Sequence, residues 1–161
     1  MAETDKLDVD DADIRIMRAL STNARAADVA IAEDVNLSAA AVARRRRVLE
    51  ERGYIRGYYV DFDMEKLGYH MIAIVHIELS SQSNVHLNDF EKAVVECPSM
   101  TFCSFVSGDT DFLMMLNVRS FDDYDRIYRS ELASLPFVAR IRSSFVMREV
   151  SRRPLPPCLF T

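Results

Sequence analysis

The sequence predicts an α+β chain in two parts: an N-terminal three-helix domain of the winged or helix-turn-helix kind, then a ferredoxin-like βαββαβ domain. Three observations predict it. Apolar residues up to about position 53 recur at helical spacing. A turn-and-cap signature, Asn36-Leu37-Ser38, divides the second of these helical segments from the third. From residue 71 onward, strand-like and helix-like segments alternate in the order β-α-β-β-α-β, and Pro98 and Pro136 close the two helical ones.

The first helix is written in ADIRIMRAL, where Ile14, Met17 and Leu20 stand three apart and Ile16 and Ala19 flank them. Asp10 or Asp11 is placed to cap it, and Thr22-Asn23 to end it. Residues 26–34, with Val35 after them, predict a short second helix. Asn36 tolerates positive φ in the turn that follows. Ser38 then caps AAAVARRRRVLEER, and Gly53 sits past its end. Two helices joined by so short a turn form a helix-turn-helix, with a plain three-helix bundle as the alternative. YIRGYYV at 54–60 alternates and predicts a strand, and 61–68 a connector. Strands follow at 71–79, 100–107, 112–118 and 138–150, with helices at 87–96 and 121–134. The expected division is 1–60, 61–150 and a proline-bearing tail, 151–161.

A sheet with both helices on one face leaves the other face open. Phe102, Phe105 and Phe112 are expected there, and such a face implies a partner, most simply a second copy of the chain.

Composition narrows the class. Apolar residues make up 49% and charged residues 28%, the balance of a folded chain rather than a disordered one. No apolar run approaches the roughly 20 residues a membrane helix needs. The first residues lack a basic stretch followed by an apolar one, so a cytoplasmic location is expected. Cys97, Cys103 and Cys158 are irregularly spaced and predict buried thiols at the inner two positions, not a disulfide framework. His70, His76 and His86 have no metal-site spacing, and no cofactor is expected. No serine has a nucleophile's context and no carboxylate pair is set for acid–base work, so no catalytic centre is read. The net charge of −5 argues weakly against nucleic acid, but Arg44 to Arg47 run together and Arg52 and Arg56 follow. An acidic chain with a concentrated basic segment can still bind DNA through that segment.

Each residue of the third helix advances about 100° around its axis. Val42 and Leu49 then define the inward direction, and Ala40, Arg44, Arg47 and Glu51 face outward. Arg45 and Arg46 fall about 50° to either side of the inward direction, where their stems can snorkel while their heads reach phosphates or Glu50. The N-terminal part of a docked recognition helix meets base edges. Ser38, Ala39, Ala40, Ala43, Arg44, Arg45 and Arg47 are therefore the expected contacts with double-stranded DNA. The alanines offer only methyl contacts, and the arginines reach bases or phosphates.

Several segments together resemble the Lrp/AsnC, or feast/famine, family of transcriptional regulators. They are VDDADIRIMRAL, AIAEDVNLSAAAVARRRRVLEERGYIRGY, Leu67-Gly68, ECPSMTFCSFVSGDTDFLMMLNV and LPFVARIRSSFVMREV. The resemblance covers Val9 to Val150. It departs at Arg46, where the family usually has an aliphatic residue, at Val48, often basic, and at Thr110, often aromatic. The resemblance implies homodimers through the sheet domain, further assembly to octamers, promoter binding, and an amino acid or related effector held between subunits. It also implies that the turn Gly108-Asp109-Thr110-Asp111 contacts that effector. Backbone groups near Gly108 and Thr110 would take its carboxylate, Asp111 would pair with its ammonium, and Ser143 and Ser144 would complete a polar lining. Two other readings stand beside this one: an architectural DNA-binding protein without effector response, and an effector-binding oligomer whose DNA-binding domain has degenerated.

Overall fold

The computed structural model describes residues 8–153 and 155–160. They form two compact units, one running to Asp61 and rejoined by the chain from Arg152 onward, the other spanning Phe62–Ser151.

The first unit holds α1 (Asp11–Thr22), α2 (Asp28–Val35) and α3 (Ala39–Glu51). Asp10 caps α1 by accepting from the Asp13 N–H at 2.9 Å, and Asp13 returns the bond to the Asp10 N–H. This reciprocal pair satisfies two of the orphan donors of the first turn. Asn36 ends α2 at φ 55°, the left-handed position expected of it, and turns the chain sharply into Ser38. Gly53, at φ 77°, closes α3. Ile16, Leu20, Ile31, Ala32, Val35, Val42 and Leu49 make the core. The inward stripe of α1 is thus Ile16–Leu20, four apart, while Ile14 lies outside the cluster. A spacing of three drifts about 60° per step, so Ile14 and Leu20 cannot share one packing direction. The tail's 3-10 turn, Pro157–Phe160, lies against α1.

The strand expected at 54–60 is not formed: among the described residues this stretch has no ladder partner. Its side chains serve other ends. Tyr58 bonds back to α3, Ile55 packs on the core, and Tyr59 is 85% exposed.

The second unit runs β1 (Met71–Leu79), α4 (Asn84–Val94), β2 (Met100–Phe105), β3 (Phe112–Val118), α5 (Phe121–Ile127) and β4 (Val138–Phe145). The sheet order is β2-β3-β1-β4, with every pairing antiparallel. This is the ferredoxin-like arrangement. α5 does not end at Ile127 but widens into a π turn over Tyr128–Leu132, with Ala133 N–H donating to Tyr128 O at 2.8 Å. The last strand stops at Phe145, five residues short of the expectation.

Alternation decides which face each strand residue serves. Ala73, Val75, Ile77 and Leu79 of β1, and Phe112, Met114, Leu116 and Val118 of β3, are buried with Phe90 and Val94 of α4 and with Ile127 and Leu132. Phe112 is therefore core, 2% exposed and 4.4 Å from Phe90 ring to ring, and Phe105 sits edge-on against it. Neither lies on the open face. That face instead carries Ile72 and Ile74 of β1, Leu113 and Met115 of β3, and Phe102 of β2, which is 47% exposed. It remains apolar, with a different cast. Cys97 is buried in the core, and Cys103 packs at its edge.

Candidate nucleic-acid interface and ligand turn

Val42 and Leu49 are fully buried on α3, so the outward face is the one the helical wheel assigns. Ser38 caps the helix by accepting from the Ala41 N–H at 3.2 Å, and its own hydroxyl hydrogen stays available to a phosphate. Ala40 is exposed, Ala43 half-buried, and Ala39 is turned partly into the core.

The four consecutive arginines divide into two pairs. Arg44 and Arg47 are exposed, and no described residue offers either guanidinium a hydrogen bond or ion pair. Arg45 is committed within the unit. Its Nη1 lies 2.8 Å from both Asp10 and Asp13, fastening α3 to the capping box of α1. Arg46 is committed too. Nη1 reaches Asp28 at 2.7 Å, Nε donates to the Tyr58 hydroxyl at 2.9 Å, and Glu50 stands 3.6 Å away. Tyr58 donates to Glu50 at 2.6 Å, and its hydroxyl is pushed above its ordinary range, first by burial and then by Glu50. An arginine is thus seated at a half-buried position because α2 supplies a carboxylate and the 54–60 stretch a phenol. The helical wheel already parts Arg44 and Arg47 from Arg45 and Arg46; what it does not show is that the inner pair is spent on Asp10, Asp13 and Asp28, far off in sequence.

Acid should loosen the α1–α3 corner. The Asp10 carboxyl is held below its ordinary 3.8 by the Asp13 N–H, with Arg45 adding to the effect. Its stabilisation is complete above that value and fades as pH falls through the lower, folded-state one. Asp10→Ala should lower the urea midpoint at pH 7, and the gap to the wild type should narrow as the pH falls below the ordinary carboxyl value of 3.8. An equal gap above and below that value would rule out this linkage.

The turn between β2 and β3 is pinned to the end of β1. Asp111 N–H donates to Ile77 O at 3.0 Å, and Thr110 Oγ1 donates to the same carbonyl at 2.9 Å. Gly108 stands at φ 118°, which a side chain would resist. Asp111 is only 7% exposed. Its carboxylate accepts from the Leu79 N–H at 2.7 Å and from Gln82 Nε2 at 2.6 Å. Both donors are neutral, and no cation pairs with it among the described residues.

Ser143 and Ser144 do not join this turn together. Being adjacent on β4, they point to opposite faces. Ser143 touches the Tyr124 hydroxyl on the helix side, and Ser144 shares the open face beside Ile74, about 10 Å along β1 from the Ile77 anchor. The polar groups that do approach the turn are Gln82 and the Glu78–Arg142 pair, 3.0 Å apart; Arg142 also donates to Asp109 O at 3.4 Å. Strand alternation, with Arg140 and Arg142 on one face, was the signal that could have found Arg142. Among the described residues no group of three His, Cys, Asp or Glu could hold a metal ion, and no helix is long and apolar enough to cross a membrane.

A chain that joins a capped recognition helix in one unit to a βαββαβ fold with a polar turn in the other defines a class: DNA-binding transcription regulators that carry a ligand-binding domain. The comparisons agree. Residues 9–56 match the winged helix-turn-helix DNA-binding family model, and residues 72–156 match the Lrp/AsnC ligand binding domain. The chain belongs to the Lrp/AsnC family of transcriptional regulators, whose members are not enzymes. It is 34% identical to the Bkd operon transcriptional regulator of Pseudomonas aeruginosa over 98% of this chain and 99% of that one. It is 33% identical to the leucine-responsive regulatory protein of Rhizobium meliloti over 90% and 93%. Among solved structures, a Neisseria meningitidis transcriptional regulator in complex with L-methionine superposes with a TM-score of 0.86, at 27% identity, covering 92% of this chain and 96% of that one.

Proposed function

We propose that the chain is an effector-modulated regulator that binds promoter DNA as a homodimer, through α3 of each copy, and senses an amino acid at the Gly108–Asp111 turn. The observation that carries the DNA half is the pair of unpartnered guanidinium groups, Arg44 and Arg47, on the exposed face of a capped helix. Arg45 then acts by holding α3 in place. Support for the sensing half comes from Asp111, a buried carboxylate met only by neutral donors, which favours an ammonium group more than an exposed one would. The methionine complex of the Neisseria relative points the same way. Gly108, Asp109 and Thr110 would offer the carboxylate end its backbone partners, with Ser144 at the far edge of the same face.

The test is a DNA titration of the full chain with and without each amino acid, repeated on Asp111→Asn. That variant preserves the turn: the asparagine oxygen keeps one donor, and Gln82 can reverse its amide to accept from the new nitrogen. Amino-acid affinity should fall about tenfold, while DNA affinity without effector is retained. Equal amino-acid affinity in the variant would leave Asp111 a turn anchor only. If no amino acid changes DNA binding in the wild type, the architectural reading takes its place.

A further inference from the structure

A polar cleft lies at the other end of β3 from the turn. It measures about 370 Å³ and is lined by Met64, Tyr69, Pro98, Arg119, Arg126 and Ile127, among others. Arg119 directly follows β3, so it stands about 25 Å along the strand from Asp111.

The charges in this cleft are unequally settled. Asp123 accepts from the Arg119 backbone N–H at 3.0 Å and from the Arg126 side chain at 2.7 Å. Arg126 and Asp123 therefore cancel, and the nearby Glu131 carboxylate is taken up by the Ser99 N–H at 3.1 Å and the Ser99 hydroxyl at 2.8 Å. The Arg119 guanidinium is different. Its Cζ lies 5.1 Å from the Tyr69 ring centroid, and no described carboxylate bonds or pairs with it. A cation over the ring face is held without using its N–H donors, and no described residue accepts from this guanidinium. Met64, Pro98 and Ile127 supply apolar wall beside it. A planar cation with no carboxylate bonded to its guanidinium, next to apolar surface and with the nearby carboxylates already bonded elsewhere, matches one negative charge carried on a planar group with an apolar body.

We propose that this cleft binds a small aliphatic carboxylic acid that lacks an amino group, its carboxylate received in the plane of the Arg119 guanidinium. The volume lies in the range of small-molecule sites. The site is independent of the amino-acid turn, so the chain would read two ligands of different chemistry at the two ends of one strand.

The experiment is calorimetric titration of the full chain with 4-methylpentanoate, with leucine as the same body bearing an ammonium group, and with inorganic phosphate as a plain anion. The expected result is saturable 4-methylpentanoate binding that weakens at least tenfold in Arg119→Gln and is unchanged in Asp111→Asn. Arg119→Lys keeps the charge and loses the fork, and should fall between. Thermal unfolding of each variant checks that the fold is kept. Any of five results would overturn the proposal: no 4-methylpentanoate binding at millimolar concentration, equal binding by a folded Arg119→Gln, loss of binding in Asp111→Asn, phosphate binding as tightly, or leucine binding to Asp111→Asn as tightly as 4-methylpentanoate does. Failure of amino-acid sensing at the turn would leave these outcomes untouched.

Discussion

Replacing Arg44 and Arg47 together by alanine is expected to cut DNA affinity about a thousandfold near 0.15 M salt. Each phosphate contact contributes about 0.9 to the slope of log affinity against log salt. Two arginines on each of two helices make about 3.6, which corresponds to about three decades between 1 M and 0.15 M salt. The slope itself should fall by that amount, and each single variant should take about half. Arg45→Ala is the informative control. Its guanidinium is held by Asp10 and Asp13, so its loss should lower the unfolding midpoint and barely move the slope. A double variant with wild-type slope and native circular dichroism would move the DNA surface elsewhere. A large change of slope in Arg45→Ala would mean that the clamp opens on DNA.

The second large effect is expected from Ile74→Asp. Ile74 stands mid-strand on the open face, opposite Met115 on one side and Ser144 on the other. If a second copy covers this face about a two-fold axis, the substitution places two carboxylates in one apolar interface. Taking each ion out of water costs several kcal/mol. Light scattering should find monomers at concentrations where the wild type is a dimer, with native circular dichroism. DNA affinity should fall with it, because paired half-sites need paired recognition helices. Undiminished assembly would show that another surface joins the copies.

The order of elements could be read from the chain because it is written in local signals. Asn36 and Ser38 make a turn and a cap whatever surrounds them, and Pro98 and Pro136 stop helices by geometry alone. The buried face of α3 followed from Val42 and Leu49 for the same reason. What could not be read depends on distant partners. Whether 54–60 is a strand depends on a ladder neighbour, which the described residues do not provide. Phe112 reads as a partner-seeking aromatic until Phe90 is found beneath it. The wheel sorts the arginine run into an outer and an inner pair, but the carboxylates that hold the inner pair, Asp10, Asp13 and Asp28, lie too far off in sequence to be read. At the ligand turn, Asp111 was identified by position, but its donors Leu79 and Gln82 lie some thirty residues upstream. Ser143 and Ser144 were grouped as neighbours although strand alternation alone sends them to opposite faces.

The placement of the three thiols has a practical consequence for labelling. Burial pushes the Cys103 thiol up to about 11, and burial likewise raises Cys97. At neutral pH only about one Cys103 in ten thousand is then the nucleophilic thiolate. Cys158 is exposed, on the tail turn beside α1. A maleimide dye should therefore attach to the unaltered chain at the tail, close to the DNA-reading unit, and leave the sheet unmodified. Mass spectrometry of the labelled peptides would show a single adduct. The same asymmetry makes the tail the first point of cross-linking when the protein is kept without reductant.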